Sequence, residues 1–196
     1  DMLPKSHDWL KAEKRKNKKG SCIAFATHDM NALNGLAFYG KNANPNLIQD
    51  VSTWPLFGKS VIFDEVITNH DRNLGNLLRR GKGDYILIDH GRLIHESGIW
   101  RDSDLEPEMQ PENVLLKIRD AFPSLIKLSD NDLTATAENH FINNPPNGGK
   151  ISSLSLLTAL CDMHPDKTKP QALEEFFCIR AKNSDRIMHE RLKTLT

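Results

Sequence analysis

The spacing of apolar residues divides the first half of the chain into short elements around one polar loop. From Leu56 to Ile67 the apolar residues recur at helical spacing, which predicts a helix that runs directly into "NHDRNLGN", residues 69–76. Beyond this loop, "LL" at 77–78 and "YILI" at 85–88 flank the turn sequence "RRGKGD", a pattern typical of a β-hairpin. The polar loop is therefore expected to join a helix to a hairpin.

The segments on either side of this unit are less regular. "CIAFA", at 22–26, has the length of a strand, and "KNANPN", at 41–46, is predicted to be a loop. Residues 92–110 lack periodicity and are predicted to be irregular, and "RDSDLEPE" at 101–108 is predicted to be an exposed loop. Residues 1–20 are polar and basic, so the expected organisation is a basic N-terminal segment, 1–20, followed by one domain, 21–196.

The second half of the chain is predicted to be helical. "PENVLLKIRDAF" has Pro111 at the expected first helical position. Four apolar residues are expected to share the buried face of this helix: Val114, Leu115, Ile118 and Phe122. Ser129 is expected to cap the next helix, "NNPPNGG" at 143–149 is a break, and two further helices follow at 152–163 and 170–195. The expected fold class is α+β, mainly α, with a small β-hairpin and a helical bundle.

Composition and charge exclude several classes of protein. The 196 residues suffice for one domain with a sizeable core. Lys plus Arg and Asp plus Glu number 26 each, so no basic field favours nucleic acid. No apolar run reaches the roughly 20 residues of a membrane helix, and the N-terminus does not resemble a secretory signal. Three widely separated cysteines are expected to be reduced, which favours a cytoplasmic protein: Cys22, Cys161 and Cys178.

Three polar residues near the hairpin suit phosphoryl transfer from ATP. Asp71 lies in the polar loop, Asn76 follows it by five positions, and Asp89 follows it by 18 positions at the end of the hairpin. The reaction needs a carboxylate to receive the proton of the acceptor hydroxyl, and an amide and a carboxylate to hold Mg²⁺. The loop and the hairpin together supply this set of groups.

Two segments resemble the catalytic segment of HipA-like kinases: "FDEVITNHDRNLGNLL" at 63–78 and "YILIDHG" at 85–91. They are similar also to the corresponding segments of phosphoinositide kinases and other atypical kinases. The resemblance covers about 30 of the 196 residues closely. It implies a kinase-like C-terminal lobe in which Asp71 is the catalytic base and Asn76 and Asp89 bind Mg²⁺.

The same resemblance implies roles for three further residues: Arg72 belongs to the catalytic motif, and Asn69 and His70 shape the loop and the nucleotide site. His90 follows the expected metal ligand in the sequence and is a candidate to gate or orient this ligand. The implied activity is transfer of the ATP γ-phosphate to a Ser or Thr hydroxyl of a protein substrate, with ATP and Mg²⁺ as cofactors. HipA-like kinases are bacterial toxins, so a toxin–antitoxin setting with an antitoxin partner is also implied.

Parts of a complete kinase are missing before the loop, and this leaves several interpretations open. Neither Gly-x-Gly-x-x-Gly nor a strand of the Val-Ala-Ile-Lys kind precedes the loop. A second polypeptide could supply the upper lobe, or the sequence could lack those residues; in either case this chain alone is expected to bind ATP weakly. The third interpretation is a reduced lobe, a pseudokinase that serves as a binding module.

Two interpretations outside the kinases are also open. The loop could be an ordinary helix-to-strand connection, because Asp, Asn and Gly are common turn formers. The motifs "SHD", "THD" and "NHD" also suggest a metal-dependent phosphohydrolase of the HD type. That fold requires its His-Asp pair on a helix, whereas His70 and Asp71 are expected at the start of a loop.

Two serines of the irregular segment, Ser97 and Ser103, are candidate regulatory phosphorylation sites. A phosphate there would add about −1.5 to −2 of charge near Arg92 and Arg101, which could order the segment. The alternative is that both are ordinary loop serines.

Overall fold

The computed structural model describes residues 32–39, 43–88, 92–95, 100–139 and 168–194. Several predictions lie outside these residues: the basic segment 1–20, the strand at 22–26, the break at 143–149 and the helix at 152–163.

Most of the described residues are helical. Their seven α-helices are Gly35–Tyr39 (α1), Ala43–Val51 (α2), Phe57–Val66 (α3), Val114–Ala121 (α4), Asp130–Ala137 (α5), Thr168–Lys182 (α6) and Ser184–Lys193 (α7). Their strands are Leu33–Asn34 (β1), Leu77–Gly81 (β2) and Asp84–Leu87 (β3), which form one antiparallel sheet in the order β1-β2-β3. The predicted α+β class with a mainly helical chain is confirmed at this level.

Strands β2 and β3 form the predicted hairpin, with Leu77 opposite Leu87 and Leu78 opposite Ile86. The turn contains Gly83 at a positive φ of 61°. A Cβ atom on Gly83 would lie 2.4 Å from the Oγ1 atom of Thr53. Glycine is required at this position, because a side chain would be strained and would collide with the turn after α2.

A buried carboxylate joins the sheet to α1 and α2. Asp50 accepts hydrogen bonds from the hydroxyls of Tyr39 and Tyr85 at 2.7 Å each, from Arg79 Nε at 2.8 Å and from the Gly83 N–H at 2.9 Å. Burial raises the pKa of Asp50, but these hydrogen bonds outweigh it and lower the pKa to about 2. The ionised side chain therefore holds two helices and the hairpin together.

The loop predicted at 41–46 is wrong in part, because α2 begins at Ala43. Pro45 lies in the first turn of this helix. The first four N–H groups of a helix have no intrahelical acceptor, so the missing proline N–H leaves no helical hydrogen bond unmade. In a sequence, proline is equally compatible with a loop and with the start of a helix.

The described part of the second half confirms the helices predicted there but shifts one helix start. Helix α4 begins at Val114 rather than at Pro111, because Asn113 caps it through an acceptor Oδ1 that lies 3.1 Å from the Leu116 N–H. Leu116 is buried and Phe122 is exposed, which corrects one residue of the expected face. The expected cap of the next helix, Ser129, is confirmed, and a capping box completes it. The helix expected at 170–195 is present as two helices, α6 and α7.

Helix α3 lies at the centre of the described fold. It contacts α4, α5, α6 and α7. Its apolar side chains Val61, Ile62 and Val66 are almost completely buried. Because helices pack around α3 in this way, its C-terminal end is a rigid base for the polar loop that follows.

Candidate active-site loop

The polar loop leaves α3 through a strained turn. Helix α3 ends at Val66, and Thr68 follows with a positive φ of 50°. The Asn69 N–H donates to the Asp64 carbonyl at 2.9 Å, which turns the chain back over the helix end. Asn69 then forms an antiparallel bridge with Leu93. The loop is thus attached both to α3 and to the segment after the hairpin.

A buried ion pair supports the loop from below. Arg72 Nε donates to Asp64 Oδ2 and Arg72 Nη2 donates to Asp64 Oδ1, both at 2.8 Å, and both side chains are 0% exposed. Arg72 Nη1 donates to the Ile88 carbonyl at 2.9 Å. The guanidinium therefore connects α3 to the end of the hairpin. The Arg72 side chain is thus buried beneath the loop and bonded to protein groups.

Asn69 fixes the backbone beside the expected base. Its Nδ2 donates to Asp64 Oδ1 at 3.0 Å, and its Oδ1 accepts the Asp71 N–H at 3.0 Å. The His70 N–H donates to the Arg92 carbonyl at 3.0 Å, and the His70 side chain is partly buried. Asn69 and His70 thus each hold part of the loop backbone in place.

Asn76 closes the loop at its other end. A short 3₁₀ turn, Leu74–Asn76, is capped by Asn73, whose Oδ1 accepts the Gly75 N–H at 2.8 Å. Asn76 Nδ2 donates to the Asp71 carbonyl at 2.9 Å. This carbonyl requires the NH₂ end of the amide, so Oδ1 is directed elsewhere and accepts no hydrogen bond from any residue that the structure describes. An uncommitted amide oxygen is the type of ligand that Mg²⁺ uses.

The carboxylate of Asp71 is presented at the surface of this braced loop. Its side chain is 25% exposed, and Arg92 Nη1 lies 3.7 Å from Oδ1. The Asp71 backbone is held on both sides, by Asn69 at its N–H and by Asn76 at its carbonyl. Hydrogen bonds, some of them through Asp64, thus join four of the expected site residues in one unit: Asn69, Asp71, Arg72 and Asn76. Within this unit the Asp71 carboxylate and the Asn76 Oδ1 atom accept no hydrogen bond from a described residue.

Three other expected residues, Asp89, His90 and Ser97, lie outside the described residues. Ile88, which precedes Asp89, donates its N–H to the Asn76 carbonyl at 3.0 Å. The last described residue after the hairpin, Ile88, is therefore bonded to the backbone of Asn76. In the described ranges no three His, Cys, Asp or Glu side chains are grouped so that they could hold a metal ion. Ser103 lies in the 3₁₀ turn Asp102–Asp104 and is exposed.

The position of His70 and Asp71 bears on the phosphohydrolase interpretation. Both residues follow the end of α3 and lie in irregular backbone rather than on a helix. This is the arrangement that the sequence predicts, and it lacks the helical His-Asp pair which that interpretation requires.

The residue that holds the end of α3 is not indicated by the sequence patterns. Arg180, on α6, is 0% exposed; its Nε donates to the Val66 carbonyl at 2.9 Å and its Nη2 to the Glu65 carbonyl at 2.6 Å. Its Nη1 donates to the carbonyls of Pro107 and Met109. Burial lowers the pKa of Arg180 to about 10. Arg180 caps the last turn of α3 with a positive charge, which suits the negative end of the helix dipole.

A buried glutamate is the second residue missed. Glu65, in the last turn of α3, is 0% exposed, and Asn113 Nδ2 donates to its Oε2 at 3.1 Å. Arg191 Nε lies 3.9 Å from the same oxygen. Burial raises the pKa of Glu65, although Asn113 and the nearby arginines oppose the rise. Glu65 connects α3 to α4 and α7 beneath the loop.

Comparisons with known proteins give no relative: no family model, no curated protein and no solved structure matches this chain. None of the helices in the described part of the chain is long and apolar enough to cross a membrane.

Proposed function

We propose that the chain is the catalytic lobe of an ATP-dependent phosphotransferase of the HipA-like kinase type. The proposed reaction transfers the γ-phosphate of ATP to a Ser or Thr hydroxyl of a protein substrate. A cytoplasmic toxin–antitoxin setting, with an antitoxin as partner, is part of this proposal and rests on the sequence resemblance alone.

One observation supports the proposal most directly: the loop immobilises the Asp71 backbone and leaves the Asp71 carboxylate accessible. Catalysis of phosphoryl transfer depends mainly on positioning and on charge. A turn that only joined a helix to a strand would not need a completely buried Arg72–Asp64 pair with two 2.8 Å hydrogen bonds beneath it. Taking two charges out of water has a large desolvation cost, so such a pair suggests a demand for precision at the loop.

Asp71 acts as the base in the proposed reaction. The substrate hydroxyl oxygen attacks the γ-phosphorus, its proton passes to the Asp71 carboxylate, and the bond from the γ-phosphorus to the bridging oxygen breaks to release ADP. Asn76 Oδ1 and Asp89 would hold Mg²⁺, which when bound neutralises the phosphate charge. Arg72 and Asn69 keep the Asp71 backbone fixed while the proton is transferred.

The proposal is tested first by locating the nucleotide, because this readout does not depend on knowing the protein substrate. Mg-ATP at millimolar concentration is titrated into the ¹⁵N-labelled chain, and Mn²⁺ is then substituted for Mg²⁺. We expect amide shifts at 69–76 and paramagnetic broadening centred on Asn76. In Asn76→Ala the broadening should be lost. Asn183→Ala is the matched control, since Asn183 lies in the turn between α6 and α7 and its side-chain amide donates to the Ile179 carbonyl of α6.

Two results would overturn the assignment. One is broadening by Mn²⁺-ATP that centres on another part of the chain. The other is broadening at the loop that persists unchanged in Asn76→Ala. High millimolar concentrations are used because the glycine-rich strand and the lysine of an upper lobe are not present in this sequence, so the nucleotide affinity of this chain alone is expected to be weak.

A further inference from the structure

Arg92 is placed beside Asp71 by its backbone. The Arg92 carbonyl accepts the His70 N–H at 3.0 Å, and the next residue, Leu93, forms the bridge to Asn69. The Ile94 N–H then donates to the Thr68 carbonyl at 3.0 Å. These contacts align residues 92–94 with the start of the polar loop, and they fix the origin of the Arg92 side chain next to the expected base.

The guanidinium of Arg92, in contrast, is held loosely. Its Nη1 lies 3.7 Å from Asp71 Oδ1, which exceeds hydrogen-bond distance, and the side chain is 57% exposed. Among the described residues, Asp71 is its only ion-pair partner. An exposed pair of this kind contributes little to stability, typically about 0–1 kcal/mol. The placement of Arg92 is therefore not explained by what it adds to the folded state.

Arg72 and Arg92 both lie near Asp71 but differ in burial and in hydrogen bonding. Arg72 is 0% exposed and its nitrogens bond Asp64 and the Ile88 carbonyl, so it is committed to the protein. Arg92 has a fixed backbone and a water-exposed charge, which forms one loose ion pair with Asp71 and no hydrogen bond within that pair. A planar guanidinium matches the spacing of two phosphate oxygens, and it binds phosphate more strongly than a single carboxylate at 3.7 Å.

We propose that Arg92 contacts the transferred phosphoryl group, and that its guanidinium leaves Asp71 when the phosphate enters. This inference rests on the proposed phosphotransferase function and adds a residue to it. Before the phosphate enters, the Arg92 guanidinium is the counter-charge of the Asp71 carboxylate. When the γ-phosphate is bound, the guanidinium stabilises the charge on its oxygens during transfer, and the Asp71 carboxylate is released to accept the hydroxyl proton.

The test compares Arg92→Ala, Arg92→Lys and a control, Arg186→Ala. Arg186 is an exposed arginine on α7 that pairs with Glu108 at 3.0 Å, so its removal matches the loss of a surface ion pair. Two quantities are measured on the full chain with Mg²⁺: the ratio of ATP to ADP affinity by NMR titration, and the rate of phosphate transfer to a library of Ser- and Thr-containing peptides. Transfer by Arg92→Ala is measured again with added guanidinium ion.

For Arg92→Ala we expect a fall in kcat of about 100-fold, within the range found when one transition-state donor is removed. KM for the peptide should change less than about threefold, because the contact forms with the transferred phosphate. Any preference for ATP over ADP should disappear, guanidinium ion should restore part of kcat, and Arg92→Lys should retain part of it as a point charge. The control should match the wild type in every measurement.

The outcomes separate this inference from the proposed function. If wild type and Arg92→Ala transfer phosphate equally and prefer ATP to the same extent, Arg92 does not contact the phosphate, while the phosphotransferase proposal stands. If Arg92→Ala loses transfer without rescue by guanidinium and its unfolding temperature falls, Arg92 is structural and the inference is again wrong. If the wild type neither binds Mg-ATP nor transfers phosphate, the proposed function fails and the role of Arg92 fails with it.

Discussion

Removal of one partner of the Asp64–Arg72 pair should destabilise the protein strongly. Both side chains are 0% exposed and are joined by two hydrogen bonds of 2.8 Å. In Asp64→Ala the guanidinium keeps its charge in the interior without a carboxylate, and the Nδ2 group of Asn69 also loses its acceptor. Loss of one partner of a buried pair typically costs about 3–5 kcal/mol. With a urea m-value of about 2 kcal/mol/M, the unfolding midpoint should fall by about 2 M.

The hairpin provides a matched control with the same bond length. Arg80 and Asp84 also pair at 2.8 Å, but their side chains are 47% and 45% exposed. Asp84→Ala should therefore lower the free energy of unfolding by less than about 1 kcal/mol. The comparison measures the combined effect of burial and of the additional hydrogen bonds, because Asp64 accepts two from Arg72 and one from Asn69, whereas Asp84 accepts one from Arg80.

A double substitution tests the reasoning further. In Asp64→Leu combined with Arg72→Met both charges are removed, so no uncompensated buried charge remains. The double variant should lose about 2 kcal/mol less than the sum of the single losses, as a double-mutant cycle measured by urea unfolding would show. Equal losses for Asp64→Ala and Asp84→Ala, or additive losses in the cycle, would refute the view that the buried pair supports the loop.

Three further predictions concern single positions. Asp71→Asn should reduce phosphate transfer by at least about 100-fold and leave the unfolding temperature within about 2 °C, since the carboxylate lies at the surface of the loop and little packing is lost; transfer assays and thermal unfolding check both parts. The pKa of Asp50 is depressed to about 2, so its stabilisation should be complete above about pH 4 and lost as the pH falls towards 2; urea unfolding of wild type and Asp50→Asn at pH 2–6 should give curves that converge at the acid end. Arg180→Met should lower the free energy of unfolding by about 3 kcal/mol or more, because four carbonyls, two of them in buried and two in partly buried hydrogen bonds, lose a charged donor. Hydrogen exchange should show faster opening at the C-terminal end of α3.

Local patterns allowed the elements that flank the loop to be predicted. The helix ending near residue 67, the hairpin and the Ser129 cap each depend on residues a few positions apart. The start of α2 was missed because Pro45 suits both a loop and a first helical turn. For the helix, the hairpin and the cap the sequence contains a local signal for one structure. Pro45 is a local signal that is compatible with two structures.

The support of the candidate site could not be predicted in the same way. Arg180 is 114 positions from Val66 in the sequence, and only the packing of α6 on α3 brings them together. The hydrogen-bond donor to the buried Glu65 carboxylate is likewise distant, since Asn113 is 48 positions away. Asp71 and Asn76 were recognisable because their chemistry lies within one loop, whereas the residues that hold this loop in place come from distant elements.

The strained turn after α3 has a consequence for how the loop moves. Among the described residues other than glycine, two have a positive φ: Thr68 at 50° and Ile94 at 69°. The Ile94 N–H donates to both the carbonyl and the Oγ1 of Thr68. Each β-branched residue in this conformation stores about 1–3 kcal/mol. Because each holds the other, relaxation of one removes the hydrogen bonds that restrain its partner. The backbones that carry Asp71 and Arg92 should therefore open and close as one cooperative unit, and their amide protons should exchange with solvent at a common rate.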